Sequence, residues 1–169
     1  LKHSSYGTYL ATDVELDRPT AMKIVMTQDV AQFLQKEGLR GKLFDRIRAI
    51  ARLSHPYLSF IYDMGERDGI LYVAREYIEG KELSEVTFHD EHRDGEILVL
   101  LQKIVRALLY AMSKGVAHLN LKPGNLWLSE AQDLRISDFR IPGFTEDAST
   151  ASVLVPAHWR YVAPEILMG

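Results

Sequence analysis

The chain has 169 residues, 47% of them hydrophobic and 25% charged, which is enough apolar material for the core of an ordinary domain or of part of a larger one. Its formal net charge of −3 gives no reason to expect nucleic acid or an anionic membrane as a partner, because both favour a basic surface. The absence of cysteine excludes disulfides and thiolate metal sites, and no apolar run approaches the ~18 residues that a membrane span needs.

Tyr6–Ala11 and Thr20–Val25 read as strands joined by a polar turn from Glu15 to Pro19, the second strand carrying Ala21, Ile24 and Val25 around Lys23. Asp29–Arg52 reads as helix, broken by Gly38 and Gly41, with Leu43, Phe44, Ile47, Ile50 and Ala51 inward. Tyr57–Met64 and Ile70–Ile78 pattern as a hairpin around Glu66-Arg67-Asp68-Gly69, where Asp-Gly supplies the positive φ of a tight turn. Ile97, Leu100, Leu101, Ile104, Val105, Leu108 and Met112 form a helical stripe that ends near Gly115. Short strands are expected at Leu126–Leu128 and Leu134–Ile136. The polar stretch from Thr145 to Thr150 has no apolar period and reads as an irregular segment.

Three motifs carry chemistry. They are His118-Leu119-Asn120-Leu121-Lys122-Pro123-Gly124-Asn125, then Ser137-Asp138-Phe139-Arg140, then Ala163-Pro164-Glu165. Their order and spacing resemble the catalytic loop, the magnesium loop and the end of the activation segment of a Ser/Thr protein kinase domain, with the bacterial eukaryotic-like branch nearest around Leu16–Lys23. The resemblance implies an α+β, protein kinase-like fold: a five-stranded antiparallel N-lobe sheet plus one helix, followed by a helical C-lobe that stops after the Ala163-Pro164-Glu165 motif. On this reading residues 1–169 are a partial kinase-like domain, 1–78 being the N-lobe and hinge and 79–169 the start of the C-lobe. The chain opens within the phosphate loop and reads as a piece of something longer; no secretory leader is in view, and a cytoplasmic location is the expectation.

The same resemblance implies a role for each site residue. Asn120 stands where the family places the aspartate that accepts the substrate hydroxyl's proton. A carboxamide oxygen is essentially non-basic, so general-base help worth roughly 10²–10⁴-fold is unavailable from that position. Lys122 would steady the transferred phosphate and Lys23 would grip the α- and β-phosphates. Asn125 and Asp138 stand where magnesium is held, and oxygen ligands suit that hard cation. Glu76-Tyr77-Ile78 resembles the hinge whose backbone, at Glu76 and Ile78, binds adenine; Arg75 then guards the deep end of the pocket, and Trp127 takes the position of the apolar residue that packs under the adenine ring, where its bulk reads either as occluding the adenine site or as a core tryptophan.

Other positions depart from the family pattern. Arg46, ten residues before Pro56, falls where a glutamate would pair with Lys23, leaving Asp45 or Glu37 as substitutes if the helix is shifted. The phosphate-loop glycines fall on Leu1, His3 and Tyr6, or on Gly7 with a one-residue shift, so the backbone cradle for phosphate is poor. Leu119 replaces the arginine that receives an activation-loop phosphate, Arg140 replaces the magnesium-loop glycine, and His158 replaces a threonine. Ile50, Ile61, His118 and Phe139 form an intact apolar packing column in which His118 is structural.

These features imply a pseudokinase: a regulatory or scaffolding module whose partner is a protein, an active kinase or a signalling complex. The alternatives are a slow Ser/Thr protein kinase and an ATP-binding sensor. ATP and magnesium are the implied ligands, with binding weakened or lost. Three cations around one cleft, Lys23, Arg46 and Arg75, need a counter-charge, and an ion pair from Arg75 or Arg46 to Asp138 is expected.

Overall fold

A computed structural model of the chain describes residues 6–26, 39–87, 93–141 and 161. Strands β1 (Tyr6–Asp13), β2 (Arg18–Met26), β3 (Ile61–Arg67) and β4 (Ile70–Glu76) form an antiparallel sheet in the order β1-β2-β4-β3. The N-lobe sheet thus has four strands among the described residues, where five were expected. The turn between β1 and β2 is tied by Asp13, whose carboxylate accepts from the Leu16 N–H at 3.2 Å and from Arg18 Nε at 3.2 Å. Between β3 and β4 the chain reverses at Asp68 and Gly69, with φ of 51° and 74°. An Asp-Gly pair tolerates this left-handed backbone, and the expected hairpin forms there.

Phe60 leads into β3, its carbonyl accepting the β4 Glu76 N–H at 2.8 Å, but the preceding run Tyr57–Ser59 lies outside that sheet, although its apolar character resembles a strand. It packs instead against β7 (Leu134–Ile136): the Ile136 N–H donates to the Tyr57 carbonyl at 2.8 Å, and the Ser59 N–H donates to the Ile136 carbonyl at 2.9 Å. Leu58, in a parallel bridge with Ile136, is buried by this contact. A second sheet contains β5 (Lys81–Glu82), β6 (Leu126–Leu128) and β7, in that order, and the last two strands have the bounds expected from their short apolar runs.

Helix α1 (Leu39–Ala51) buries Leu43, Ile47 and Ile50, three positions spaced to share one helical face. Gly41 sits inside the helix and does not break it, since the hydrogen-bonded turn closes around it at modest entropic cost. Ala51, expected inward, is exposed, because it lies about 100° round from Ile50. Gly38, Glu37 and the leading helical segment lie outside the described residues.

Helix α2 (Arg93–Ser113) supplies Leu100, Ile104, Ala107 and Ala111 to the core. Leu101, Val105 and Met112, from the other half of the expected stripe, are exposed, because the described residues pack on one side of this helix only. Gly115, with φ of 74°, ends it: its N–H donates to the Met112 carbonyl, and the Val116 N–H donates to the Ala111 carbonyl, each at 2.9 Å. Among the described residues an apolar cluster runs from β2 and β4 through both helices to β6, β7 and Phe139. No helix among them is long and apolar enough to cross a membrane.

Candidate functional site

Strand periodicity puts two cations on one face of the first sheet. Side chains alternate along a strand, so Ala21, Lys23 and Val25 of β2 point the same way, as do Leu71, Val73 and Arg75 of β4. Lys23 pairs across the ladder with Val73, and Ala21 with Arg75, which makes Lys23 and Arg75 diagonal neighbours. Their flanking residues Ala21, Val25, Leu71 and Val73 are buried, so this is the inner face.

Asp138 meets both cations. Lys23 Nζ donates to its Oδ1 at 3.2 Å, and Arg75 donates to its Oδ2 at 3.2 Å. The expected ion pair from Arg75 therefore forms. Burial alone would raise the Asp138 carboxyl, but the charges of Lys23 and Arg75 outweigh it and hold the group below the ordinary carboxylate range. Asp138 adopts a positive φ of 57°, a conformation in which aspartate is among the better tolerated residues.

Arg46 does not join this group. Its Nε donates to the Arg140 carbonyl at 3.2 Å, and its terminal nitrogen donates to the Ala117 carbonyl. The rotation of α1 that buries Leu43, Ile47 and Ile50 sends Arg46 to these two backbone acceptors, and the cations on Asp138 are Lys23 and Arg75.

The loop at Asn120 is closed by its own hydrogen bonds. Asn120 Nδ2 donates to the Asp138 carbonyl at 2.9 Å, and the Asn120 N–H donates to His118 Nδ1 at 3.2 Å. Asn125 Nδ2 donates to the Asn120 carbonyl at 2.6 Å, while the Asn125 carbonyl accepts the Ser137 N–H at 2.9 Å. Lys122 is half-buried, and its carbonyl accepts the Asn125 N–H at 2.9 Å as a short 3-10 turn begins. Leu119 has a φ of 58°, an unfavourable conformation for a leucine that this dense bonding holds in place.

His118 is buried and its ring stacks on Phe139, with centroids 4.3 Å apart. Ile50, Ile61 and Phe139 line one small cavity of about 20 Å³ together with Lys23, Arg75 and Asp138. The packing column read from spacing is therefore assembled.

A more open cleft of about 120 Å³ lies beside it, between Ala21 and Leu10 on the first sheet and Trp127 on β6, with Tyr77, Ile78 and Arg75 at its edge. The Trp127 indole N–H and the Arg75 Nε–H are buried with no hydrogen-bond partner among the described residues. Glu76 is occupied by the scaffold: its carboxylate accepts from Arg135 Nε at 3.2 Å and from the Phe60 N–H at 3.2 Å. This tie, completed by Arg135 donating to the Pro56 carbonyl, joins β4 to β7. Nothing in the sequence signals it, since Glu76 and Arg135 are only two charges far apart in the chain. Gly7 lies in β1 opposite Ile24. Leu1, His3, Ser149, Thr150, Ser152, His158 and Ala163–Glu165 lie outside the described residues.

The family model for the protein kinase domain matches residues 5–169. The chain belongs to the protein kinase domain family. It is 33% identical over 167 residues to the serine/threonine-protein kinase PrkC of Bacillus subtilis, covering 96% of this chain and 25% of that protein. It is 29% identical over 168 residues to the serine/threonine-protein kinase PknJ of Mycobacterium tuberculosis, covering 95% of this chain and 28% of that protein. The crystal structure of a point mutant of the Mycobacterium tuberculosis PknI kinase domain superposes with a TM-score of 0.65 at 25% identity, over 86% of this chain and 57% of that one. This kinase domain thus spans about a quarter of the length of the curated relatives named here.

Whether a divalent metal fits depends on which oxygens the residues leave open. Asn125 turns its amide N–H to the Asn120 carbonyl, which leaves an oxygen suited to a hard cation. Asp138 has both carboxylate oxygens engaged by cations. Lys23, Arg75 and Asp138 together carry one net positive charge, so in this arrangement the residues do not fit a divalent metal.

Proposed function

We propose that this kinase domain is a pseudokinase, a regulatory or scaffolding module whose phosphoryl transfer is impaired. One observation carries the reading: Asn120, at the position of the proton acceptor, spends its amide N–H on the Asp138 carbonyl and offers only a non-basic oxygen. Its proposed partner is a protein, either an active kinase or a member of a signalling complex. Residues 1–78 would serve as N-lobe and hinge and 79–169 as the start of the C-lobe. Lys23, Glu76, Ile78 and Trp127 would frame the nucleotide cleft.

A second reading, a slow Ser/Thr kinase, draws support from the Asn125 amide oriented to leave its oxygen available and from the retained Lys122. Phosphoryl transfer rests largely on positioning and electrostatics, so the loss of a base is not by itself decisive.

The deciding experiment is phosphotransfer from radiolabelled ATP to generic Ser/Thr acceptors, with the full chain and with Asn120→Asp. Neither protein is expected to reach the ~1–100 s⁻¹ of working kinases. Restoring the carboxylate sets an acceptor against the Asp138 carbonyl, where Asn120 now donates, and leaves Asp138 paired with Arg75. Turnover in that range for Asn120→Asp would show that the acceptor was the single defect, whereas measurable transfer by the unmodified chain would favour the slow-kinase reading.

A further inference from the structure

The cleft holds more donors and more positive charge than its own acceptors use. The side chains of Lys23, Arg75 and Asp138 are 18%, 10% and 18% exposed, and both Asp138 oxygens are already taken. Ser137 Oγ lies 3.4 Å from the same Oδ2. On the donor side, Arg75 Nε–H is buried without a partner among the described residues, and a lysine ammonium has three N–H groups of which Asp138 accepts one. A dication entering here would find its carboxylate neutralised and two cations beside it. An anion rich in acceptor oxygens would find the reverse.

We propose that Arg75 is a resident cation standing in for the divalent metal, and that the ligand this cleft takes is a nucleoside di- or triphosphate free of metal. The phosphate oxygens would meet Lys23 at the open edge of the cleft and draw the Arg75 guanidinium out of the cavity of about 20 Å³ that it now lines. The base would enter the adjoining cleft between Ala21 and Trp127. Magnesium then works against binding, because it cancels the ligand charge that the two cations recognise and brings a like charge toward them. The proposal rests on the reading of this site as a kinase-type nucleotide cleft without turnover, and it names what that cleft would bind.

Thermal melting of the full chain with ADP, in EDTA and in excess magnesium chloride, tests this directly. A ligand at ~100 times its dissociation constant gives a readily visible shift in a domain of this size. The expected result is an upward shift in EDTA, with apparent affinity falling by about tenfold or more when magnesium is added. A shift that requires magnesium, or no shift under either condition, overturns the proposal without recourse to any variant. Arg75→Met supplies a second test. It removes the resident cation and frees Asp138 Oδ2, so magnesium should now strengthen ADP binding, reversing the sign of the metal effect. A metal response in Arg75→Met identical to that of the unmodified chain also overturns it. The phosphotransfer assay separates the two readings: magnesium-dependent ADP binding without transfer sinks this inference and spares the pseudokinase, whereas transfer at kinase rates sinks the pseudokinase reading.

Discussion

Asp138→Ala is expected to destabilise the domain by about 3–5 kcal/mol, the typical cost of stranding a buried charge by deleting its partner. The substitution removes one carboxylate and leaves two cations, Lys23 and Arg75, facing each other on the inner face of the sheet with 18% and 10% of their side chains exposed. Arg75→Met should behave very differently. It removes one of two cations, leaves Lys23 paired with Asp138, and puts an apolar side chain among Ile50, Ile61 and Val73, so a change within about 1 kcal/mol is expected. Urea unfolding of the three proteins at pH 7 measures the contrast. An Asp138→Ala variant as stable as the parent would mean that the cations escape to solvent and that the cluster contributes nothing to the fold. The Asp138 carboxyl is held below its ordinary range, so its contribution is complete above the unfolded-state value and is lost as pH falls through the lower folded one, in strong acid.

A separate loss of stability is expected at milder pH and belongs to His118. Burial lowers the His118 pKa to about 4, with the nearby Arg46 adding to the effect, while the Ser137 carbonyl and Asp138 oppose it. The hydrogen bonds explain why the neutral ring is preferred. Nδ1 accepts the Asn120 N–H at 3.2 Å, which requires Nε2 to carry the proton that it donates to the Ser137 carbonyl at 3.0 Å. A second proton on Nδ1 would point one donor at another. The folded-state pKa lies below the unfolded value of about 6.5, so unfolding takes up a proton and stability falls as pH drops from about 6.5 toward about 4. The loss attributable to this one group is about 3 kcal/mol by pH ~4. His118→Leu should be less stable than the parent at pH ~7 yet change less between pH ~7 and pH ~4.5. Parallel pH profiles for the two proteins would mean that His118 titrates in the folded state as it does in the unfolded chain.

The position of Asn120 and the charges of Arg75 and Asp138 are legible in the sequence, because covalent identity alone sets whether a group can accept a proton or needs a counter-ion. Strong local signals are equally legible. The Asp68-Gly69 reversal, the end of α2 at Gly115 and the bounds of β6 and β7 each depend on a few adjacent residues, and each lies where expected. Tyr57–Ser59 reads from its sequence as part of the hairpin but pairs with β7 instead, since an apolar run does not say which backbone it will pair with, and β7 lies far away in the chain.

Which cation meets which acceptor was decided only by tertiary structure. Spacing places Arg46 and Arg75 on the same wall, but a helix can turn its residues through any angle until its neighbours choose one. Burial of Leu43, Ile47 and Ile50 chose it for α1 and delivered Arg46 to the Ala117 and Arg140 carbonyls. The two-residue period of β4 left Arg75 no such freedom: the face that buries Leu71 and Val73 also carries Arg75, and the carboxylate it meets there is Asp138. Sequence determined the chemistry each side chain can perform, while packing, through rotation and distance, determined the partner on which that chemistry is spent.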